Sequence, residues 1–241
     1  MVRRSKWLLG MLGVAGVMLP IAGLSCTHRW SSESPGTAVE PQQPDRQVRR
    51  AFAFREADLP DGFPPPGPVG EVIVKTYPPY RMALVEGSAL GQSADQDDMF
   101  GPLFRHIQRN DIPMTAPVEM GYPATASAEA TDGPDTPTAR RPASMAFLYG
   151  DPAVGAPGPD PRDSRVVVKD APAVVVISVA VRGSYSDRNF EWGLARLESW
   201  LAENSGRYRP VGEPRYLGYN SPFVPSFLRL GEVQIPVEAA H

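Results

Sequence analysis

The stretch Asp98–Met120, DMFGPLFRHIQRNDIPMTAPVEM, decides the fold because its apolar period changes halfway along. In the first half, apolar residues recur at intervals of three and four, which predicts a helix with one apolar stripe: Met99, Phe100, Leu103, Phe104 and Ile107. Pro113 ends the helix, because the residue before a proline avoids helical backbone. Every second residue is then apolar from Met114 to Met120, which predicts a strand that carries Pro117 at an edge or bulge.

Two other stretches share a pattern with each other. Val72–Lys75 and Val166–Lys169 both read V-[VI]-V-K, and a proline stands three residues after each lysine. An alternating apolar stretch, a glycine and a helix-like pattern follow in both cases. The second helix is capped by Ser186 or Asp187 and has its own apolar stripe: Phe190, Leu194, Leu197 and Leu201. We interpret this as a faint internal repeat of strand, helix, strand and strand.

The composition allows one domain of ordinary size with additional segments. The chain has 241 residues, of which 42% are hydrophobic and 21% charged, and its net charge is −3. This near-neutral balance gives no reason to expect nucleic acid as a partner. The 28 prolines and 22 glycines cluster in segments that are typical of linkers.

Residues 1–26 have the features of an export segment. Three basic residues precede an apolar run, Trp7–Ile21, and small residues lead to Cys26, which is the only cysteine. A lone cysteine forms no intramolecular disulfide, and its position suggests lipidation after cleavage, as in a bacterial lipoprotein. An uncleaved anchor or a plain signal peptide is the alternative. In each case we expect the folded part in the cell envelope or periplasm, anchored to the membrane if Cys26 carries a lipid.

Residues 27–69 are polar and rich in proline, which predicts a flexible tether. The domain proper is then expected at 70–241, interrupted by a disordered insertion at about 123–143 that has no apolar period. Within the domain, further strands are predicted at 208–220 and 230–237.

No familiar catalytic constellation is present, so we predict that the chain is not an enzyme. There are 3 histidines, and His28 and His241 lie in the tether and at the last position. One cysteine and one internal histidine do not supply four zinc ligands. The internal histidine, His106, falls at the margin of the first helix's apolar stripe. It is expected to pack on the sheet with one nitrogen in water, or alternatively to bind a metal.

The run Ile112–Val118, IPMTAPV, preceded by a helix of the type F-x-x-L-F-x-x-I, resembles the signature of the SOUL haem-binding family. Val74–Pro78 and Tyr219–Phe223 resemble two other motifs of that family. The last motif, an Arg-Asn-Glu-Val run, keeps only Glu232 and Val233. The resemblance implies an α+β fold: a pseudo-twofold open antiparallel β-barrel of two β-α-β-β repeats with two flanking helices.

The resemblance also implies non-covalent binding of haem or a related porphyrin, a small hydrophobic planar ligand, in an apolar groove beside a helix. Scavenging, buffering or carriage would be the role. The candidate cofactor-binding residues lie on the first helix: His106, Met99, Leu103 and Arg105. His106 is the candidate iron ligand. Met99, with Met114 and Met120, can equally be core filler, since apolar spacing alone explains these methionines.

A second hypothesis is an effector-binding-like domain that binds or hydrolyses another hydrophobic small molecule. Hydrolysis would need a carboxylate in the groove, for which the sequence offers Glu119, Glu191 and Glu232. A buried glutamate inside the concavity would favour this hypothesis, whereas a purely apolar groove would favour simple binding. A protein-interaction module in the envelope is the third alternative.

Overall fold

The computed structural model describes residues 56–87, 96–123 and 140–240. The predicted export segment with Cys26, the tether up to residue 55 and most of the predicted insertion lie outside these residues.

The described residues form two α-helices and ten strands. The helices are α1 (Gln96–Arg109) and α2 (Asp187–Glu203). The strands are β1 (Val72–Tyr77), β2 (Tyr80–Glu86), β3 (Val118–Gly121), β4 (Ser144–Leu148), β5 (Gly158–Asp160), β6 (Asp163–Ala171), β7 (Val174–Arg182), β8 (Tyr208–Pro210), β9 (Arg215–Gly218) and β10 (Leu230–Ala239). A short 3-10 helix, Ser226–Leu228, precedes β10.

All the named strands belong to one antiparallel sheet. Its order is β1-β7-β10-β9-β3-β4-β2-β6-β5, and β8 pairs with β10 beside this path. The α+β class expected from the sequence is therefore confirmed. The sheet is not closed, because β1 and β5 stand at the two ends of the strand order.

The consecutive strands β1 and β2 do not pair with each other. β1 pairs with β7, and β2 pairs with β6. Tyr77 lies opposite Val174 and Tyr80 lies opposite Ala171, so the two pairings share one register. Between them stands the Pro78-Pro79 step, which removes two backbone donors from the ladder.

Both helices cover the same face of the sheet. α1 packs on β2, β4 and β6, and α2 packs on β7 and β10. The main core lies between these helices and the sheet, and every residue of the predicted stripe except the two phenylalanines is buried there: Met99, Leu103 and Ile107. At Gly193 in α2, an added Cβ would stand 2.5 Å from a methyl carbon of Val233, so a glycine is needed for this close packing.

The opposite face carries a second, smaller core. Its buried members are Tyr77, Ala116, Val176, Leu217 and Tyr219. Residues 56–69, which we call the strap, run across it, and Leu59 and Phe63 pack against these side chains. The Phe63 ring meets those of Tyr77 and Tyr80 edge-on, at centroid distances of 4.9 and 5.2 Å. The sequence assigned these residues to the tether, but in the structure they form part of the domain.

The strand predicted after α1 is shorter than expected. It begins only at Val118, and Met114 is partly exposed while Ala116 packs in the smaller core. Pro113 and Pro117 lack N–H groups, so the intervening backbone cannot sustain a ladder. The Ala116-Pro117 peptide bond is cis.

Candidate functional site

Helix α1 places the four predicted cofactor-binding residues in two different environments. Met99 and Leu103 are fully buried in the main core, and His106 is buried beside them. Arg105 is exposed and folds back over Gly101, on the side of the helix that faces Asp163. The structure therefore does not bring the four together around an open groove, and their cofactor-binding role stays a prediction.

His106 is held through both ring nitrogens. Nδ1 donates a short hydrogen bond to Oδ2 of Asp160, and Nε2 lies 2.7 Å from the hydroxyl of Tyr149. The expectation of a boundary histidine with one nitrogen in water is wrong, because its side chain is only 6% exposed and Tyr149 occupies Nε2. A metal ion at this ring would have to displace one of the two partners.

The surroundings of His106 also fix the charge of Asp160. Arg109 donates to the same carboxylate at 2.8 Å. Burial works to raise the pKa of Asp160, but hydrogen bonds from His106, the Arg162 amide and Arg109 outweigh it and hold the pKa well below the usual range. Burial raises the pKa of Tyr149 to about 12, so this hydroxyl stays protonated at neutral pH. The cluster joins α1 to β4 and β5 as a structural tie.

The exposed apolar surface of α1 is an aromatic pair. The rings of Phe100 and Phe104 stack at a centroid distance of 5.8 Å, with 19° between their planes. Phe100 rests edge-on against Phe147 of β4, at 5.0 Å, and Phe104 is 39% exposed. This pair offers a flat, apolar surface that the core beneath holds in place.

The smaller core contains a fully buried carboxylate, Glu232. Its Oε1 accepts hydrogen bonds from Lys75 Nζ at 2.5 Å and from the Gly67 amide of the strap at 2.6 Å. Its Oε2 accepts from the Tyr219 hydroxyl at 2.8 Å and from the Gln234 side-chain amide at 3.2 Å. Lys75 also donates to the Pro65 carbonyl of the strap at 2.8 Å. Burial lowers the pKa of Lys75, while the Glu232 charge opposes that shift.

A second ion pair lies beside the first. Arg215 donates to Glu119 and to the Tyr80 hydroxyl, each at 2.9 Å, and to the Gln234 side chain at 3.0 Å. The Arg215 guanidinium also lies 5.4 Å from the centre of the Tyr77 ring, in a cation–π arrangement. Charged and aromatic groups thus satisfy one another across the face that the strap covers.

Two of the three carboxylates proposed for hydrolysis belong to this network. Glu232 is fully buried and Glu119 is largely covered, but their oxygens are engaged by Lys75 and Arg215. Glu191 is elsewhere, exposed on α2 and 3.6 Å from Arg140. A general base needs a free lone pair near its substrate, which Glu232 does not offer while the strap is in place.

The remaining sequence candidates are dispersed. Met120 and Met145 are buried in the main core and Met114 is partly exposed, so the methionines do not form one ligand set. The two lysines of the V-[VI]-V-K stretches differ: Lys75 is buried, whereas Lys169 is exposed and pairs with Glu86 at 3.2 Å. The contacts of Glu232 with Lys75 and with the strap leave no local signal in the sequence, because they join residues far apart in the chain.

Within the described residues, no group of three or more histidine, cysteine, aspartate or glutamate side chains is arranged to hold a metal ion. None of the helices in that part of the chain is long and apolar enough to cross a bilayer.

The sequence itself defines the class of the protein. A sequence model described as SOUL heme-binding protein matches residues 70–236, and the chain belongs to that family. No curated protein matches the sequence.

Several solved structures are similar in fold. EcmrR in its DNA complex is 14% identical with a TM-score of 0.48, and the match covers 70% of this chain and 57% of that one. A hydrolase from Listeria innocua is 11% identical, with a TM-score of 0.46 and coverage of 71% and 94%. A putative transcription regulation protein from Staphylococcus aureus MU50 is 7% identical, with a TM-score of 0.38 and coverage of 70% and 98%. Similarities at this level carry no argument about function.

Proposed function

We propose that this protein binds haem or a related tetrapyrrole non-covalently, as an exported domain tethered to the membrane through Cys26. Membership of the SOUL family supports the choice of ligand. The role would be scavenging, buffering or carriage of the tetrapyrrole outside the cytoplasm. Binding, without catalysis, is the activity we assign.

The observation that carries this proposal is the stacked pair Phe100 and Phe104 on the signature helix. A tetrapyrrole is a planar aromatic ring, and aromatic side chains gain from offset stacking beyond the area they bury. Phe147 supports Phe100 from below, so the surface is preorganised and little side-chain entropy is lost on binding. We therefore assign the tetrapyrrole to this surface of α1.

In this arrangement His106 supports the helix and does not ligate iron. Both of its nitrogens are engaged, so ligation of iron would require breaking the hydrogen bond to the Asp160 carboxylate or the one to the Tyr149 hydroxyl. Bound haem would supply its own redox and ligand chemistry, and the chain's residues would supply an apolar surface.

We also propose that the two halves of the sheet are related by a pseudo-twofold axis. Val176 lies opposite Lys75, and Met82 lies opposite Lys169. The number of residues from Met82 to Val176 equals the number from Lys75 to Lys169. The repeat therefore relates Lys75 to Lys169 and Val176 to Met82, and so relates one facing pair to the other. Lys75 donates a hydrogen bond to the Pro65 carbonyl of the strap, which accounts for its burial, whereas Lys169 is exposed and pairs with Glu86.

The test is a hemin titration of the purified full chain, followed by the Soret band. We expect a saturable shift at micromolar hemin. Phe104→Ser should weaken affinity about tenfold, equivalent to about 1.4 kcal/mol. Phe227→Ser, which changes a more exposed ring outside α1 (70% against 39% for Phe104), is the control and should leave affinity unchanged. His106→Ala should keep the spectrum of the wild type.

The absence of a saturable shift would remove the tetrapyrrole proposal. Equal losses in Phe104→Ser and Phe227→Ser would show adsorption of hemin to exposed rings and no site on α1. Loss of the ligand-field bands in His106→Ala alone would restore this histidine as the iron ligand.

The buried Glu232 favours a second candidate, the effector-binding-like domain. In that function a hydrophobic ligand would displace the strap and occupy the face lined by Tyr77, Tyr80 and Tyr219, next to Glu232. Phe63→Ala loosens the strap and would increase such binding, whereas it should leave hemin affinity unchanged if the tetrapyrrole sits on α1. A protein-interaction module would bind no small hydrophobic ligand, either as the wild type or as Phe63→Ala.

A further inference from the structure

The connection from β9 to β10 exposes two phenylalanines that none of the described helices or strands covers. Phe223 is 94% exposed and Phe227 is 70% exposed, the two highest values among the large apolar side chains in the described part of the chain. Both belong to Ser221–Leu228, SPFVPSFL, which we call the Phe loop. Exposed apolar area of this kind commonly marks an interaction site.

The Phe loop is held by hydrogen bonds from its own base. Arg229 donates from Nε to the Val224 carbonyl at 2.7 Å and from Nη2 to the Pro222 carbonyl. The Val224 and Leu228 amides donate to the carbonyls of Ser221 and Pro225, at 3.2 and 2.8 Å. The two rings therefore project from a braced loop.

This bracing lowers the free-energy penalty of moving the loop into an apolar layer. Backbone groups without partners resist transfer from water. Here Pro222 and Pro225 have no N–H group, the Ser221 carbonyl accepts a hydrogen bond within the loop, and the carbonyls of Pro222 and Val224 accept from Arg229 at its base.

The described chain begins beside the Phe loop. The Glu56 carboxylate accepts hydrogen bonds from the Ser221 amide at 2.7 Å and from its hydroxyl at 2.8 Å. The preceding 55 residues of the sequence, with the apolar run Trp7–Ile21, therefore connect to the domain at the base of this loop. Four arginines lie close before Glu56 in sequence, at positions 46, 49, 50 and 55. Basic residues held near an anionic membrane surface are attracted to its lipid headgroups.

We propose that the Phe loop is an interfacial anchor, which inserts Phe223 and Phe227 into the lipid surface to which the chain is tethered. This rests on the tether of the proposed function. The tether makes insertion intramolecular, so two rings are sufficient to orient the domain. A dimer through this loop is disfavoured, because two phenylalanines bury roughly 300–500 Å², while a stable interface needs about 800 Å² on each partner.

The test uses the full chain with vesicles of phosphatidylethanolamine, with phosphatidylglycerol as the minor component and bromine on the acyl chains. Tryptophan is introduced as Phe227→Trp and, as the matched control, as Val211→Trp. Val211 is 50% exposed and lies by Pro236, at the other end of β10. Insertion to roughly 5–10 Å depth brings an inserted ring to the bromines, so the added emission of Phe227→Trp should be quenched and that of Val211→Trp should not.

Equal quenching of the two variants overturns the Phe loop as an anchor. A second result also overturns it: no quenching, together with a dimer in size-exclusion chromatography that the double variant Phe223→Ser/Phe227→Ser abolishes. The loop would then join two copies of the chain. If the full chain fails to float with the vesicles, both the tether and the anchor are overturned. The hemin titration of Phe223→Ser/Phe227→Ser should match the wild type, so the tetrapyrrole proposal stands or fails separately.

Discussion

Replacing Lys75 by methionine should leave Glu232 as an unpaired buried carboxylate. The side chains of this pair are 4% and 0% exposed, with 2.5 Å between Lys75 Nζ and Glu232 Oε1. Methionine is close to lysine in length and apolar, so the substitution removes the charge with little change in packing. Three neutral donors would remain on the carboxylate: the amides of Gly67 and Gln234 and the hydroxyl of Tyr219.

Breaking one side of a buried ion pair typically costs about 3–5 kcal/mol, because the remaining charge has lost its compensation. For a domain of this size, each kcal/mol lowers the melting temperature by about 2–4 °C. Lys75→Met should therefore melt roughly 6–20 °C below the wild type. The double variant Lys75→Met/Glu232→Gln removes both charges while keeping an acceptor oxygen, and should cost only about 1–2 kcal/mol.

The assay is urea denaturation of the purified full chain at neutral pH, with the free energy of unfolding obtained by linear extrapolation. The double variant should be more stable than Lys75→Met alone. If the losses in free energy of unfolding from the two substitutions simply add in the double variant, water screens the pair. A loss under about 1 kcal/mol in Lys75→Met would mean the same. The strap would then not cover this face in solution.

Three further predictions concern the strap, the histidine cluster and the N-terminus. Deleting residues 1–55 should leave the free energy of unfolding unchanged, whereas deleting 1–69 should lower it by at least about 3 kcal/mol by uncovering the Lys75 ion pair, as denaturant curves would measure. The pKa of Asp160 is depressed in the folded state, so its stabilising effect is present above the unfolded pKa near 4 and is lost as pH falls below that value. The difference in free energy of unfolding between the wild type and Asp160→Asn should therefore narrow on acidification. A difference that stays constant with pH would refute the charge assignment. Cys26→Ser should move the protein from the membrane fraction to the soluble extracytoplasmic fraction, and continued retention would argue for an uncleaved anchor.

The elements of the fold that depend on apolar period could be predicted from the sequence. The stripe of α1 gave its buried face, and the capping residue Ser186 marked the start of α2, where its side chain accepts from the Asn189 amide. Both V-[VI]-V-K stretches lie in strands, β1 and β6, while their relation as a repeat stays a prediction. These signals are local, because a buried helix face or strand face requires a fixed spacing of apolar residues.

The strap and the histidine cluster could not be predicted in the same way. The strap docks through Leu59 and Phe63 within a proline-rich segment, where no period distinguishes packing residues from linker residues. His106 meets Tyr149 and Asp160 at separations of 43 and 54 residues, which only the sheet topology brings close. Burial of Lys75 likewise depends on the strap and on Glu232, 157 residues away.

The central claim, a tetrapyrrole on the aromatic surface of α1, is tested most directly by paramagnetic broadening of phenylalanine ring resonances in the full chain. Iron in hemin broadens nearby signals, and the phenylalanines of α1, the strap and the Phe loop lie on three separate surfaces of the described residues. We predict that the resonances of Phe100 and Phe104 broaden first, at substoichiometric hemin. Selective broadening of Phe63 under the strap, or of Phe223 and Phe227 in the Phe loop, would contradict this account.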